Sequence, residues 1–497
     1  MAQISAFRDP SRPALLADYR PAPSFCELMG DGNGDRPRLL SFWRRLEQLP
    51  LGELSARAED ALQELFERGV TFTVYSDRNA IDRTLPFDVI PRVITPPEWH
   101  TIETGVIQRG QALNLLLEDL YGEQRVLRDG VLPADLVLGN PHFLKDMVGY
   151  RPPQGTFVHI AGVDLVRGHD GEFQVLEDNA RTPSGVSYVV ENRHLMQRAF
   201  PDLLDGFNIR DVSEYGPRLH EKLCETAPAD RAGPRVVLLS PGVFNSAYYE
   251  HIFLAREMGV PLVEGRDLAV IDDRLHMKTV AGLVPVDVVY RRIDDAFLDP
   301  EVFNPASMLG VPGIMRCVRA GTVTVANAPG TGVADDKAVY AYMPKIIRYY
   351  LDQDPIIQNV PTYICREANQ LKYTLDNLDK LVVKPVGESG GYGIVIGPRA
   401  SRAELDDCRA AVQADPANYI AQPMVQLSVC PTLTEHGVGP RHVDLRPFAV
   451  TGRDTWVLPG GLTRVALKSG SLIVNSSQGG GTKDTWVLSE GAQGEAD

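Results

Sequence analysis

Three groups of residues have the types and spacing to do chemistry. The first lies in Phe157–Asn179, which reads FVHIAGVDLVRGHDGEFQVLEDN. Two alternating runs flank His169-Asp170-Gly171, the pattern of a hairpin. A turn centred on His169-Asp170 and one centred on Asp170-Gly171 differ by a two-residue change in pairing, and strand side chains alternate with a period of two. Either register puts Asp164, Glu177 and Asn179 on one face, with Asp164 opposite Glu177 or diagonally beside it. Ala161, Val163, Leu165 and Leu176 fall on the other, apolar face. Facing carboxylates repel unless a cation lies between them. A Mg²⁺ ion suits the place, because it takes carboxylate oxygens together with phosphate oxygens and water. Asn179 adds a neutral carbonyl oxygen. A solvated polar face, or neutralisation by Arg167 or Arg181, would meet the same demand without a metal.

The second group is Leu381–Gly393, LVVKPVGESGGYG, a strand with Lys384 followed by a glycine-rich loop and the short run Ile394–Ile396. Glycines let backbone N–H groups approach phosphate oxygens, and a lysine adds a point charge. The loop is neither a GxxxxGK[ST] phosphate loop nor a dinucleotide fingerprint, since no helix follows. A plain glycine hairpin fits it equally well. The third group is a set of strands with arginines: Tyr419–Pro423, then RHVDLRPFAV (441–450), then GGLTRVAL (460–467), then SLIVNSSQGGG (471–481). Arg446 and Arg464 are expected on neighbouring strands, open to a polyphosphate or paired with Asp444 or Asp454.

Elements able to position these groups are visible along the chain. Residues 1–38 form an irregular lead-in rich in Pro, Gly and Asp, and Leu39–Arg68 is helical, with Leu54, Ala58, Ala61, Leu62, Leu65 and Phe66 as its packing stripe. Strand runs are expected at Thr71–Tyr75 and Phe87–Ile94, and a helix at about Glu98–Tyr121. Residues 234–330 alternate strands (Val236–Leu239, Val286–Tyr290, Thr322–Ala326) with helices (Tyr248–Met258), an α/β pattern. Residues 331–351 read as helical. Among 497 residues, 44% are apolar and 23% charged, with a net charge of −15. That balance fits a multidomain globular protein and argues against a nucleic-acid or anionic-lipid partner, which would call for a basic face. No apolar run approaches the ~20 residues that span a bilayer. The N-terminus lacks a secretory signal. The six scattered cysteines form neither a zinc spacing nor a disulfide framework. Together these point to a cytoplasmic location with no membrane partner.

The motifs resemble a known family. RHVDLRPFAVTGRD resembles the DIRxFVVG strand of ATP-grasp ligases such as glutathione synthetases and ribosomal-protein glutamate ligases. GGLTRVAL…GSLIVNSSQGGG resembles the segment that follows it there. The next segment of those enzymes, GVDxxR…GxxxxEVNxSPG, is similar to GVDLVRGHDGEFQVLEDNARTPSG, which here lies more than two hundred residues upstream of the glycine loop. The chain thus resembles a circularly permuted ATP-grasp protein, a rearrangement that cutting at a surface loop permits. The closest resemblance is to the permuted type 2 family, the glutathionylspermidine synthetase-like proteins, over about Thr71–Leu488. PFDVIPR (86–92), EDNARTPSGVSYVVENR (177–193), SPGVFNSAYYEH (240–251), VDVVYRRIDD (286–295), ANAPGTGVADDK (326–337) and VVKPVGESGGYG (382–393) carry it.

The resemblance implies an α/β (α+β) chain with a permuted ATP-grasp fold. Its expected units are a lead-in and helical segment (1–70), a permuted half bearing the metal hairpin (71–232), an α/β pre-ATP-grasp-like substrate domain (233–330), an ATP-binding half (331–488) and a disordered tail (489–497). It implies ATP and Mg²⁺ as cofactors, with Asp164, Glu177 and Asn179 on the metal. Lys337 and Lys384 would hold phosphates under a loop of Gly387, Ser389, Gly390, Gly391, Tyr392 and Gly393. Gln422 would stand near the adenine. Arg464 would stabilise the transferred phosphoryl group, with Arg446 as second candidate. The family's arginine two residues before the first metal Asp is Gly162 here, with Arg167 or Arg181 as the candidate substitutes. The implied reaction is carboxylate–amine ligation: ATP phosphorylates the acid, and an amine displaces phosphate. SPGVFNSAYYEH, Arg181, Arg291 and Arg292 are candidates for acid recognition, the last two alternatively forming an internal cluster with Asp294 and Asp295. His159, His251 and His442 are read as packed or capping histidines. The partners expected are small-molecule or peptide acids and amines. Two other functions stay open: an ATP-binding subunit acting with a helical companion protein, and a phosphotransferase.

Overall fold

The computed structural model describes residues 15–16, 18–21, 24–30, 39–76, 79–228, 233–386, 393–472, 474 and 479–490, with backbone alone over 72–76 and 79–83. Gly387, Ser389, Gly390, Gly391 and Tyr392, most of the lead-in and residues 491–497 lie outside the described residues.

Pro50 divides the first helical stretch into Leu40–Glu47 and Leu51–Glu67, as the restriction on the residue before a proline requires. Leu54, Ala58, Ala61 and Leu65 are buried at helical spacing, whereas Leu62 and Phe66 are exposed. The expected stripe was too wide: positions one residue beyond 61 and 65 are rotated about 100° off the packing face. The long helix is Pro96–Tyr121, started by Thr95, whose N–H donates to the Glu98 carboxylate at 2.9 Å. Strand Asn79–Thr84, paired with Thr71–Ser76, has no counterpart among the expected elements.

Among the described residues the largest sheet has ten strands. Its central path runs Gln358–Asn359, Phe173–Asn179, Ile160–Arg167, Gly437–Arg446, Leu462–Val465, Gly481–Val487, Phe87–Ile94. The early hairpin is therefore hydrogen-bonded directly to late strands: Leu445 pairs with Leu165, and Phe448 with Gly162. A parallel sheet runs Thr324–Ala326, Val288–Arg291, Val236–Leu239, Leu262–Val263. A small antiparallel sheet runs Tyr363–Ile364, Tyr419–Pro423, Leu381–Pro385, Val395–Ile396, with its own core of Cys365, Leu378, Leu381, Val383, Cys408, Val412 and Ala421.

In the hairpin, Asp164 stands opposite Glu177, and Gly162 opposite Asn179. Neither expected two-residue turn is made. Arg167 pairs with Phe173, and Gly168–Glu172 form the connection, with Gly171 at φ 81° and the Asp170 carboxylate accepting from the Glu172 N–H at 3.1 Å. A bulge then shifts the register between Asp164 and Leu165 and sets Glu177 across from Asp164. Bulges of this kind re-aim side chains beside functional sites.

Candidate active site

The site is assembled where the hairpin meets the arginine strands. Register places Asp444 opposite Arg464; the strand of Asp444 pairs with the hairpin, and the strand of Arg464 is the next one out. Asp164, 1% exposed, is not on a solvated face. Arg446 grips it with two bonds, Nε to Oδ1 at 2.5 Å and Nη2 to Oδ2 at 2.9 Å. Arg464 donates Nη2 to the same Oδ2 at 2.6 Å and pairs with Asp444 at 2.5–3.0 Å. The neutralising residues are thus Arg446 and Arg464. Arg167 instead pairs with Glu27 and Glu98, and Arg181 with Asp335 at 2.6 Å. Of the two fates expected for the late arginines, Arg464 takes the pairing with Asp444.

Burial raises the Asp164 carboxyl, but the two guanidiniums outweigh it and hold it well below the usual carboxylate range. Glu177 goes the other way: burial and the Asp164 charge push its carboxyl up, opposed by Lys337, Arg446 and Lys384. Burial pushes Lys384 down to about 8; Glu177 and Asp164 oppose that shift, while Lys337 adds to it. Asp164, Glu177, Lys337, Lys384, Arg446 and Arg464 therefore share one electrostatic neighbourhood, although their segments are distant in sequence.

The residues can accommodate a hard cation. Asp164 Oδ2 accepts two arginine bonds and Oδ1 one, which leaves a lone pair on Oδ1. Glu177 is one-third exposed and stands 3.9 Å from Arg446. Asn179 donates its amide nitrogen to Gly162 O at 3.2 Å, which turns its side-chain oxygen away from that contact. Glu177 and Asn179 are the open oxygens, and Asp164 is first an anchor for arginines.

Other elements fix these groups. Asp336 caps the short helix Lys337–Ala341, accepting from Ala338 and Val339 N–H at 2.8 and 3.1 Å. Asp335 accepts from the Ala180 and Arg181 N–H groups, so the turn before Lys337 is tied to the end of the Glu177 strand. Tyr340 OH on that helix donates to Val175 O at 2.5 Å, next to the bulge. Arg109 holds Asp178 from behind at 2.5 and 2.8 Å. Asn327 accepts from His159 and Ile160 N–H, both at 2.7 Å, and donates to Ile160 O and Ala180 O at 2.7 and 2.8 Å. Asp335, Tyr340, Arg109 and Asn327 were missed by sequence reasoning; the GVADDK and ANAPG motifs contain Asp335 and Asn327 but do not reveal their partners.

Gly162 sits beneath Arg446. A Cβ there would lie 3.2 Å from Arg446 Cδ and 3.1 Å from Pro183 Cβ, so Arg446 covers the place where the resemblance leads one to look for an arginine. Gln422 is buried and donates to Thr362 Oγ1 at 2.9 Å. Gly393 lies against Pro385, bringing the far end of the loop back to the lysine strand. Arg291 and Arg292 are internal: Arg291 binds Asn327 O and Asp295, and Arg292 binds Pro183 O and Glu250. Acid recognition by that pair is therefore not available without breaking buried bonds, and Glu250 takes the place expected of Asp294. The three histidines are packed. Burial holds His159 down to about 3; burial and then Arg292 hold His251 at about 2; His442 Nδ1 lies 2.9 Å from Leu427 O. All six cysteines are free thiols. No helix among the described residues is long and apolar enough to cross a membrane.

Comparison with known proteins agrees with this architecture. The model of the circularly permuted ATP-grasp type 2 family matches residues 91–466. An uncharacterized protein of Synechocystis sp. is 50% identical over 479 residues, 96% of this chain and 100% of that protein. A putative glutamate–cysteine ligase of Frankia alni is 43% identical over 482 residues, 96% of this chain but only 55% of that longer protein. Among solved structures, a glutathione synthetase-like effector from Globodera pallida has the same fold, with a TM-score of 0.58 at 12% identity over 88% of this chain and 98% of that one. The permuted order, the two halves meeting in one sheet and the family match agree: the chain belongs to the circularly permuted ATP-grasp type 2 family, a ligase-like ATP-grasp family.

Proposed function

We propose that the chain is an ATP-dependent carboxylate–amine ligase working through an acyl phosphate. The observation that carries this reading is the shared electrostatic neighbourhood of Glu177 and Lys384, two groups about two hundred residues apart in sequence. Lys384 and Lys337 hold the β- and γ-phosphates of ATP. Glu177, Asn179 and the remaining lone pair of Asp164 hold Mg²⁺, which when bound neutralises phosphate charge. Arg464 and Arg446 face the phosphoryl group in transit and offset its developing charge. A carboxylate oxygen of the acid takes the γ-phosphoryl and ADP leaves. The amine then attacks the carbonyl carbon, loses a proton, and phosphate departs. The acyl phosphate must be kept from water.

The test is ADP release with mass detection of product across amino acids, peptides and polyamines, with glutamate and cysteine as the first pair. ADP release that needs both an acid and an amine supports ligation. A stable phosphorylated product from one acceptor points to a phosphotransferase. The length of the Frankia relatives favours a second reading as well. The chain spans about half of each, so a companion unit is added to the assay when the chain alone is silent.

A further inference from the structure

We propose that Glu27 is a positioning residue for the phosphoryl-transfer arginines, supplied by a segment that precedes the matched family span of 91–466. Residues 24–30 are built into the edge of the large sheet. Glu27 N–H donates to Val429 O at 2.9 Å, and Val429 N–H to Phe25 O at 2.8 Å. This delivers the Glu27 carboxylate, 2% exposed, between two buried arginines. Its Oε1 accepts from Arg92 Nη2 at 2.6 Å and from Ser428 Oγ at 2.7 Å. Its Oε2 accepts from Arg167 Nη1 at 2.9 Å.

Each arginine leads to the site. Arg92 donates its Nη1 to the backbone oxygen of Asp444 at 3.0 Å, and the Asp444 carboxylate holds Arg464. Arg167 ends the strand that carries Asp164, three residues away, and is stacked between Phe25 and Phe173 at 4.4 and 4.7 Å. Glu27 therefore fixes, through one intermediary each, the strand of Asp444 and Arg446 and the strand of Asp164, and reaches Arg464 through the Asp444 carboxylate. Without its charge, two buried guanidiniums lose their shared counterion, and the relaxation falls on Asp444 and Arg464. The lysines are on other elements and are not part of this relay. The loss should thus appear in the transition state for phosphoryl transfer and not in ground-state nucleotide binding.

This inference rests on the nucleotide reading above, and its test separates the two. The full chain is titrated calorimetrically with Mg·ATP and with Mg·ADP plus aluminium fluoride, a mimic of the phosphoryl group in transit. Glu27→Gln is expected to weaken the mimic by about tenfold or more while Mg·ATP affinity stays within about twofold, with Glu27→Asp recovering most of the loss. The calorimetric site count corrects for any unfolded fraction, so a purely structural role would lower that count and leave the ratio of the two affinities unmoved. An unchanged ratio in Glu27→Gln overturns the inference alone. A wild-type chain that binds neither ligand ends the nucleotide reading and this inference with it.

Discussion

Glu177 and Lys384 hold opposite charges under conditions that oppose both, and each consequence can be measured. The folded protein raises the Glu177 carboxyl, so its ionised form costs stability as pH climbs from the ordinary value of 4.5 through the raised one. Glu177→Gln should melt higher than wild type near neutral pH, with the difference vanishing below about 4.5, while Mg·ATP turnover falls by about a hundredfold or more. Calorimetric melts across pH and a coupled ADP assay check both halves. Lys384 is lowered from 10.5 to about 8, so the unfolded chain binds more protons between those values and the lysine's penalty is relieved as pH rises through that window. Nucleotide affinity moves the other way. Wild-type affinity for Mg·ATP should weaken above about pH 8 as the lysine discharges, whereas Lys384→Arg should show no such step, because a guanidinium stays charged.

At the scale of elements, the bulge and the short Lys337 helix act as one unit. Tyr340→Phe removes the hydroxyl bound to Val175 O without changing shape. It should cost about 1 kcal/mol in denaturant unfolding and reduce turnover by displacing Glu177 from Lys337. Wild-type kinetics in that variant would show that the bulge holds its form unaided. Much at this scale was legible beforehand. The shared face of Asp164, Glu177 and Asn179 was expected from strand period, although the turn that forms would break it and the bulge restores it; the Tyr248–Met258 helix and the Tyr419–Pro423 strand came out at the expected bounds. The five-residue turn was not legible, since its form depends on Asp170 folding back on its own backbone. Pairing of Arg464 with Asp444 was one of the two expected fates, but the bonds of Arg446 and Arg464 to Asp164 were not legible, because a distant strand brings that carboxylate up. Asn327 and Glu250 escaped for the same reason: their side-chain partners lie more than forty residues away in the chain.

Across the whole molecule, the permuted order makes a prediction that a colinear protein would not. Mg·ATP should slow amide exchange at once in 160–179 and in 381–386, two segments separated by about two hundred residues. Saturation at about a hundred times Kd should add about 2.7 kcal/mol to stability. Protection confined to one segment would separate the two halves of the site. Thermal shift and hydrogen-exchange mass spectrometry supply both readings.

The Asn327 amide, with its bonds to Ile160 and Ala180, rivets the parallel sheet to the carboxylate ribbon. Those two bodies must then travel together, and neither can serve as a jaw against the other. The small sheet of Lys384 keeps a private core and reaches the large one through Ile364 and Ile420. In the proposed ligase, any closing movement would be expected of this sheet, carrying Lys384 toward a fixed Glu177.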